Sequence, residues 1–107
     1  MIELNKHALA ASKIADQRTL KEGIRSDTMG IFIHLSEEVI EAVDAYNSYL
    51  HSKNAAPDDN LAGELADVIT CCLIIADHCS IDIEKALTEC QKKNYRRAYE
   101  QPGKENR

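Results

Sequence analysis

Helix-breaking residues are sparse in this chain, and their positions constrain its fold more than any other feature. The 107 residues include two prolines and four glycines. No segment combines the alternating pattern and the turn residues of a β-strand. Breaks near residues 23–26, 54–60 and 80–82 leave four segments of helical length. The sequence therefore predicts an all-α fold built from four helices.

We expect these helices over about residues 3–21, 28–53, 61–79 and 83–99, with Asp82 as the N-cap of the last one. The second helix has the clearest apolar stripe, which consists of Ile31, Leu35, Val39, Ala42, Val43, Tyr46 and Leu50. The third is apolar around most of its circumference and should be the most buried.

The short links between these segments favour antiparallel neighbours, so we expect a four-helix bundle. Residues 1–99 should form a single domain, and residues 100–107 a flexible tail. Because a chain of this length buries a limited share of its surface, oligomerisation should complete the core.

Two clusters of carboxylates lie inside the second and third helical segments. Glu38 and Glu41 are three residues apart and share a helix face, as do Glu64 and Asp67. On a helical wheel, Glu64 falls within the apolar arc and Glu38 at the edge of its stripe. No Lys or Arg occurs from residue 54 to residue 84 to neutralise these acids. Buried carboxylates are costly unless paired, and hard divalent cations prefer oxygen ligands, so the pattern predicts a Mg²⁺ site.

The order and spacing of these acids resemble the EExxE…ExxD signature of the MazG-like all-α nucleoside triphosphate pyrophosphohydrolases. The first half of the signature is read at Glu37, Glu38 and Glu41, and the second at Glu64 and Asp67. The resemblance implies hydrolysis of a (deoxy)nucleoside triphosphate to the monophosphate and pyrophosphate, with nucleotide pool housekeeping as the role. It assigns the binding of Mg²⁺, or of Mn²⁺ as a substitute, to Glu38, Glu41, Glu64 and Asp67. It assigns catalysis to Glu37 and Glu38, and Glu37 would orient or deprotonate the attacking water.

A basic element near the end of the fourth segment extends the resemblance. Lys93, Asn94 and Arg97 are similar to the family's N-x-x-[KR] element, which contacts the substrate phosphates. Some relatives carry a lysine four residues before the asparagine, where this chain has Cys90. The weak apolar face of the first helix and the apolar third helix suggest burial across a homodimer or homotetramer.

Several other classes of protein fit less well. A net charge of −5 disfavours binding to a nucleic acid polymer. With no signal-peptide pattern, no apolar run long enough to span a membrane, and cysteines that we interpret as buried and reduced, we expect a cytoplasmic protein. A di-iron bundle needs Glu-x-x-His on two helices, which neither His34 nor His78 provides. Two alternatives stay open: a phosphoribosyl-ATP pyrophosphohydrolase with the same metal cluster, and a non-catalytic helical dimerisation module.

Overall fold

The computed structural model describes residues 2–23, 25–52 and 59–100. This part of the chain contains four α-helices and a π-helical segment, with no strand: α1 (Leu4–Glu22), α2 (Thr28–Leu50), α3 (Asp59–His78), α4 (Ile83–Tyr95) and the π-helical segment Arg96–Glu100. The predicted all-α fold of four helices is confirmed. Most of the predicted break at residues 54–60 and the tail beyond Glu100 lie outside the described residues, and α3 already begins at Asp59.

Local chemistry explains where these helices begin and end. The carboxylate of Asp82 accepts a hydrogen bond from the backbone N–H of Lys85 at 3.1 Å, so it caps α4 as predicted. Gly23 ends α1 with a φ of 70°, a left-handed conformation that glycine adopts without a steric penalty. Asp27 precedes α2, but its side chain makes no cap hydrogen bond and binds Arg25 instead.

The core lies where α3 packs against both α1 and α2. Its central cluster consists of Ala11, Ile31, Cys71, Ile74 and Ile75, with Ala15 and Leu35 packed against it. Residues 73–76 are all buried, which confirms that α3 is the most buried helix. Small side chains on α1, including Ala8 and Ser12, let that helix approach α3 closely.

Helix α2 has two apolar faces instead of the single stripe that the sequence predicted. Its inner face, against α3, is centred on Ile31, Glu38 and Ala45, all of which are buried. The outer face of α2 is solvent-exposed in the single chain and consists of Phe32, Val39, Val43, Tyr46 and Leu50. Four of the seven residues of the predicted stripe therefore lie on the exposed face of α2. This outer face is a large apolar surface, of a kind that usually marks an interface.

Helix α4 projects from the packed unit formed by α1, α2 and α3. Its start is tied to α1, because the side-chain oxygen of Asn5 accepts from the N–H of Ile83 at 3.0 Å and its amide donates to Asp82 at 3.0 Å. Every residue from 84 to 100 is exposed. The radius of gyration is 16.9 Å, compared with about 13 Å for a compact domain of this size. The single chain thus leaves one helix largely without packing partners.

The four cysteines are all free, but only Cys71 is buried, so the expectation of burial is wrong for the other three. No described helix is both long enough and apolar enough to cross a bilayer.

Candidate metal centre

Three carboxylates converge where α2 faces α3. One ligand oxygen from each of Glu38, Glu41 and Glu64 lies within 4.8 Å of the others. Ile31, which lies about two turns before Glu38 on α2, packs with Ile74 in the core. The earlier residue of α2 thus meets a later residue of α3, and the later residue of α2 meets the earlier Glu64. The two helices are therefore antiparallel, which places the two halves of the acid motif opposite each other.

Glu38 and Glu64 each present a buried oxygen that has nothing to bind. Glu38 is 7% exposed, although it is a glutamate. The Oε2 atoms of both residues are buried without a hydrogen-bond partner. An unsatisfied buried carboxylate oxygen costs on the order of 1–3 kcal/mol or more. Two such oxygens beside a third carboxylate form the donor set that a hard divalent cation takes, so these residues fit Mg²⁺.

The electrostatics of this cluster point the same way. The pKa of Glu38 is raised from 4.5 to about 7, mainly by burial of the carboxyl group and then by the hydrogen bond and negative charge of Glu41, with smaller contributions from Asp67 and Glu64. The ranges of α2 and α3 contain eight acids and no Lys or Arg. Neither helix can therefore neutralise its own cluster.

The fourth predicted ligand and the predicted catalytic glutamate lie around this cluster. Asp67 is exposed and lies outside the tight group of three, yet it lines the same cleft as Glu38 and contributes to the rise in the pKa of Glu38. Glu37 is exposed, with its Oε2 3.9 Å from His34 Nδ1. Asp67 therefore lies close enough to Glu38 to act on its carboxylate, whereas the contact of Glu37 is with His34.

Sequence reasoning assigned no role to His34, which touches the cluster directly. Its Nε2 lies 3.3 Å from Glu38 Oε1. The two residues are four apart on α2, the spacing at which side chains of one helix face meet. That spacing was readable, but a lone histidine four residues before a glutamate carries no metal signature by itself.

A cleft of about 280 Å³ opens beside the acids, between α1 and the α2–α3 pair. Glu38 and Asp67 line its acidic side. Two arginines line it as well: Arg18, which is paired with Glu22, and Arg25, which is paired with Asp27. The cleft therefore joins a cluster of negative charge to polar groups from α1 and from the segment that follows it.

The predicted phosphate-binding residues lie elsewhere in the single chain. Lys93, Asn94 and Arg97 are exposed on α4 and the π-helical segment, and none lines the cleft that contains the acids. Helix α4 has no substantial packing against α2 or α3 within the described residues. The structure thus brings the acidic half of the predicted site together and leaves the basic half apart.

Comparison with known families identifies the region that carries these features. The family model described as the MazG nucleotide pyrophosphohydrolase domain matches residues 29–100. The match covers about two thirds of the chain and includes both halves of the acid motif and the basic element. No curated protein and no solved structure matches the chain significantly.

Proposed function

The chain belongs to the MazG family of nucleotide pyrophosphohydrolase domains, and from this premise we propose that it hydrolyses a (deoxy)nucleoside triphosphate to the monophosphate and pyrophosphate with Mg²⁺. The observation that carries the proposal is the group of three carboxylates within 4.8 Å, two of which have buried, unpaired oxygens. These carboxylates occupy motif positions at which the family resemblance places metal ligands. Nucleotide pool housekeeping in the cytoplasm is the corresponding cellular role.

The acids divide into ligands and supporting groups in this proposal. Glu38, Glu41 and Glu64 hold the ion, and Asp67 completes the ligand set from the rim of the cleft. Bound Mg²⁺, or Mn²⁺ in its place, offsets the charge of the phosphate oxygens. Glu37 lies outside the ligand group and is exposed, so it is free to orient or deprotonate the attacking water.

The cleft beside the acids receives the nucleoside. Its volume of about 280 Å³ is near the lower end of the range for small-ligand sites, roughly 300–1,000 Å³. A nucleotide seated there directs its phosphates towards Glu38 and Asp67, where the metal would lie. Arg18 and Arg25 line the cleft and are exposed, so they are available to contact the substrate.

The active form is a homodimer or a homotetramer. The outer face of α2 is apolar and exposed, and Leu65 and Ile69 add to the exposed apolar surface of the same helix pair. A second copy of the chain removes this surface from water, which stabilises the assembly by about 25 cal/mol for each Å² of apolar area buried.

A screen for pyrophosphate release tests the proposal. Purified protein is incubated with canonical and modified (deoxy)nucleoside triphosphates and with phosphoribosyl-ATP, each with Mg²⁺ and with EDTA. We expect metal-dependent release from one or more triphosphates, together with the monophosphate. Release from phosphoribosyl-ATP alone would replace the proposed substrate class. No release from any compound, with no effect of Mg²⁺ on stability, would favour a non-catalytic dimerisation module.

A further inference from the structure

The two oxygens of the Glu38 carboxylate have different surroundings within the acid cluster, which consists of Glu38, Glu41 and Glu64. Oε1 lies 3.3 Å from Nε2 of His34. Oε2 is buried and has no hydrogen-bond partner. Glu38 itself is buried, whereas His34 is half-buried and lines the cleft. One oxygen therefore faces a ring nitrogen at the edge of the cleft, and the other is left with nothing to bind.

Helix α2 places His34 for this contact. The histidine is four residues before Glu38, and this spacing brings two side chains of one helix face together. Its other ring nitrogen, Nδ1, is 3.9 Å from Oε2 of Glu37, which is too long for a hydrogen bond. Of these two neighbouring acids, Glu38 is therefore the one that His34 contacts closely.

The other charged groups around Glu38 do not provide the same contact. The ranges of α2 and α3 contain no Lys or Arg. The two arginines that line the cleft are each paired with another carboxylate. Glu41 and Glu64 are carboxylates themselves and add negative charge next to Glu38. His34 thus contributes an N–H donor where the two helices contribute no cation.

A donor on one oxygen has a direct consequence for the other. The last bond of a glutamate side chain rotates in a broad, roughly two-fold potential, so a carboxylate without a partner readily exchanges its two oxygens. An N–H donor on Oε1 of Glu38 favours the orientation in which Oε2 stays buried in the acid cluster. Contacts of this kind orient carboxylates that bind metals, and their loss weakens metal binding.

We infer that His34 is a positioning residue for the metal site: its ring N–H holds Oε1 of Glu38, which leaves Oε2 free to bind the divalent cation. The inference rests on the proposed function for the presence of that cation. The role requires a proton on Nε2, which the imidazolium and one of the two neutral tautomers both carry. His34 itself binds neither the cation nor the substrate in this arrangement.

Equilibrium binding of Mn²⁺ without nucleotide tests this role. Free Mn²⁺ is measured by electron paramagnetic resonance at pH 8, above the pKa of about 7 for Glu38. His34→Ala removes the donor, and we expect it to bind Mn²⁺ about 10- to 100-fold more weakly than wild type. His34→Gln supplies an amide N–H in place of the ring N–H and should recover most of that loss. Wild-type affinity in both variants, or equally weak binding by both, would overturn the inference.

His51→Ala is the matched control for the loss of a histidine from α2. His51 is exposed at the C-terminal end of this helix, where its Nδ1 lies 2.7 Å from the backbone oxygen of Asn47. This variant should bind Mn²⁺ as wild type does. A loss equal to that of His34→Ala would overturn the inference. Thermal melts of the metal-free proteins should be similar, so that weaker binding is not a consequence of unfolding.

Pulsed electron paramagnetic resonance distinguishes positioning from ligation. A histidine bound directly to Mn²⁺ couples the unpaired electrons of the ion to its ring nitrogen. We expect the Mn²⁺-loaded wild type to show no such coupling from His34. A strong nitrogen coupling in wild type that disappears in His34→Gln would make His34 a ligand and overturn the inference.

The binding measurements also separate this role from the proposed function. If Mn²⁺ binding is weakened in His34→Ala and recovered in His34→Gln, but wild type hydrolyses no triphosphate, the positioning role stands and the proposed function fails. If wild type hydrolyses a triphosphate but His34→Ala binds Mn²⁺ normally, the proposed function stands and the positioning role is overturned. A wild-type protein that binds no Mn²⁺ would overturn both.

Discussion

The acid cluster and the basic end of α4 differ in how much of their environment a single chain supplies. Glu38 is buried between packed helices, beside the carboxylates of Glu41 and Glu64. Arg97 is exposed on a helix that packs on its own chain only near its start. The difference is that the single chain brings the acid cluster together by its own packing, whereas the basic end of α4 has no packing partner among the described residues. Substitutions in the two regions should therefore fail in different ways.

The largest effect should come from removing a metal ligand. Glu41→Gln keeps the size of the side chain but replaces an anionic oxygen donor, so turnover should fall on the order of 1,000-fold. Helix content by circular dichroism and oligomer size by light scattering should not change. Asp44→Asn, three residues further along α2 at an exposed position, is the control and should retain wild-type turnover. Substantial activity in Glu41→Gln would remove Glu41 from the ligand set.

The next effect should come from the outer face of α2. Val43 is 53% exposed in the single chain, and Val43→Glu would place a charge in the proposed interface. We expect subunit affinity to fall about 100-fold or more, measured by sedimentation across a concentration series. Turnover should fall with dissociation, because the proposed active form is an oligomer.

Ser48→Glu provides the comparison for that experiment, since it adds the same charge at an exposed polar position of α2. It should leave both assembly and turnover unchanged. If Val43→Glu dissociates the protein but the monomer keeps full activity, the proposal that the active form is an oligomer is wrong.

A smaller effect is expected at the basic element itself. Arg97→Ala should lower kcat/KM by roughly 10- to 100-fold, because a charge-assisted contact with phosphate is lost while the metal ligands stay in place. The adjacent Arg96→Ala removes the same charge from a different side of the helix and should have little effect. Equal losses in both variants would indicate a general electrostatic attraction and not a specific contact.

The smallest effect concerns stability and its dependence on pH. The pKa of Glu38 is about 7 in the folded state, compared with 4.5 for an unperturbed group. Between these values folded Glu38 retains a proton that the unfolded chain has released, so the free energy of unfolding of metal-free protein should fall as pH rises. The stability that comes from keeping Glu38 protonated is fully present below pH 4.5 and is lost as the pH rises through about 7. Denaturant titrations of wild type and Glu38→Gln should show this slope in the wild type only.

At neutral pH, metal-free Glu38→Gln should be more stable than wild type by about 1 kcal/mol, since no buried charge remains to be accommodated. Glu37→Gln, at the neighbouring exposed position, should follow the wild-type slope. Identical slopes in wild type and Glu38→Gln would contradict the electrostatic description of the cluster.

Much of this organisation was predictable from the sequence because it depends on local rules. Helix positions follow from sparse breakers and from capping by Asp82, which the structure confirms. The three-residue spacing of Glu38 and Glu41 fixes their shared helix face, and antiparallel packing then brings Glu64 to them. The family match over residues 29–100 agrees with the resemblance that these motifs carry.

Other features depend on which surfaces meet in space, which periodicity does not determine. An apolar residue such as Val43 has the same position on a helical wheel whether it packs within its own chain or against another molecule. The depth of Glu38 was underestimated for the same reason, because it lies at the centre of the inner face of α2 and not at its edge. The separation of α4 from the acid cluster could not be predicted from the motif either, since the motif gives the order of residues along the chain and not how the helices pack.

The central claim is that the acid cluster supports metal-dependent cleavage of a nucleoside triphosphate to its monophosphate. Phosphorus NMR tests it most directly, by following the products formed from the best substrate by wild type and by Glu41→Gln, with Mg²⁺ and with EDTA. We predict that monophosphate and pyrophosphate signals grow together for wild type with Mg²⁺ and are absent in the other three conditions. Formation of diphosphate and inorganic phosphate, or of the same products by Glu41→Gln, would contradict the account.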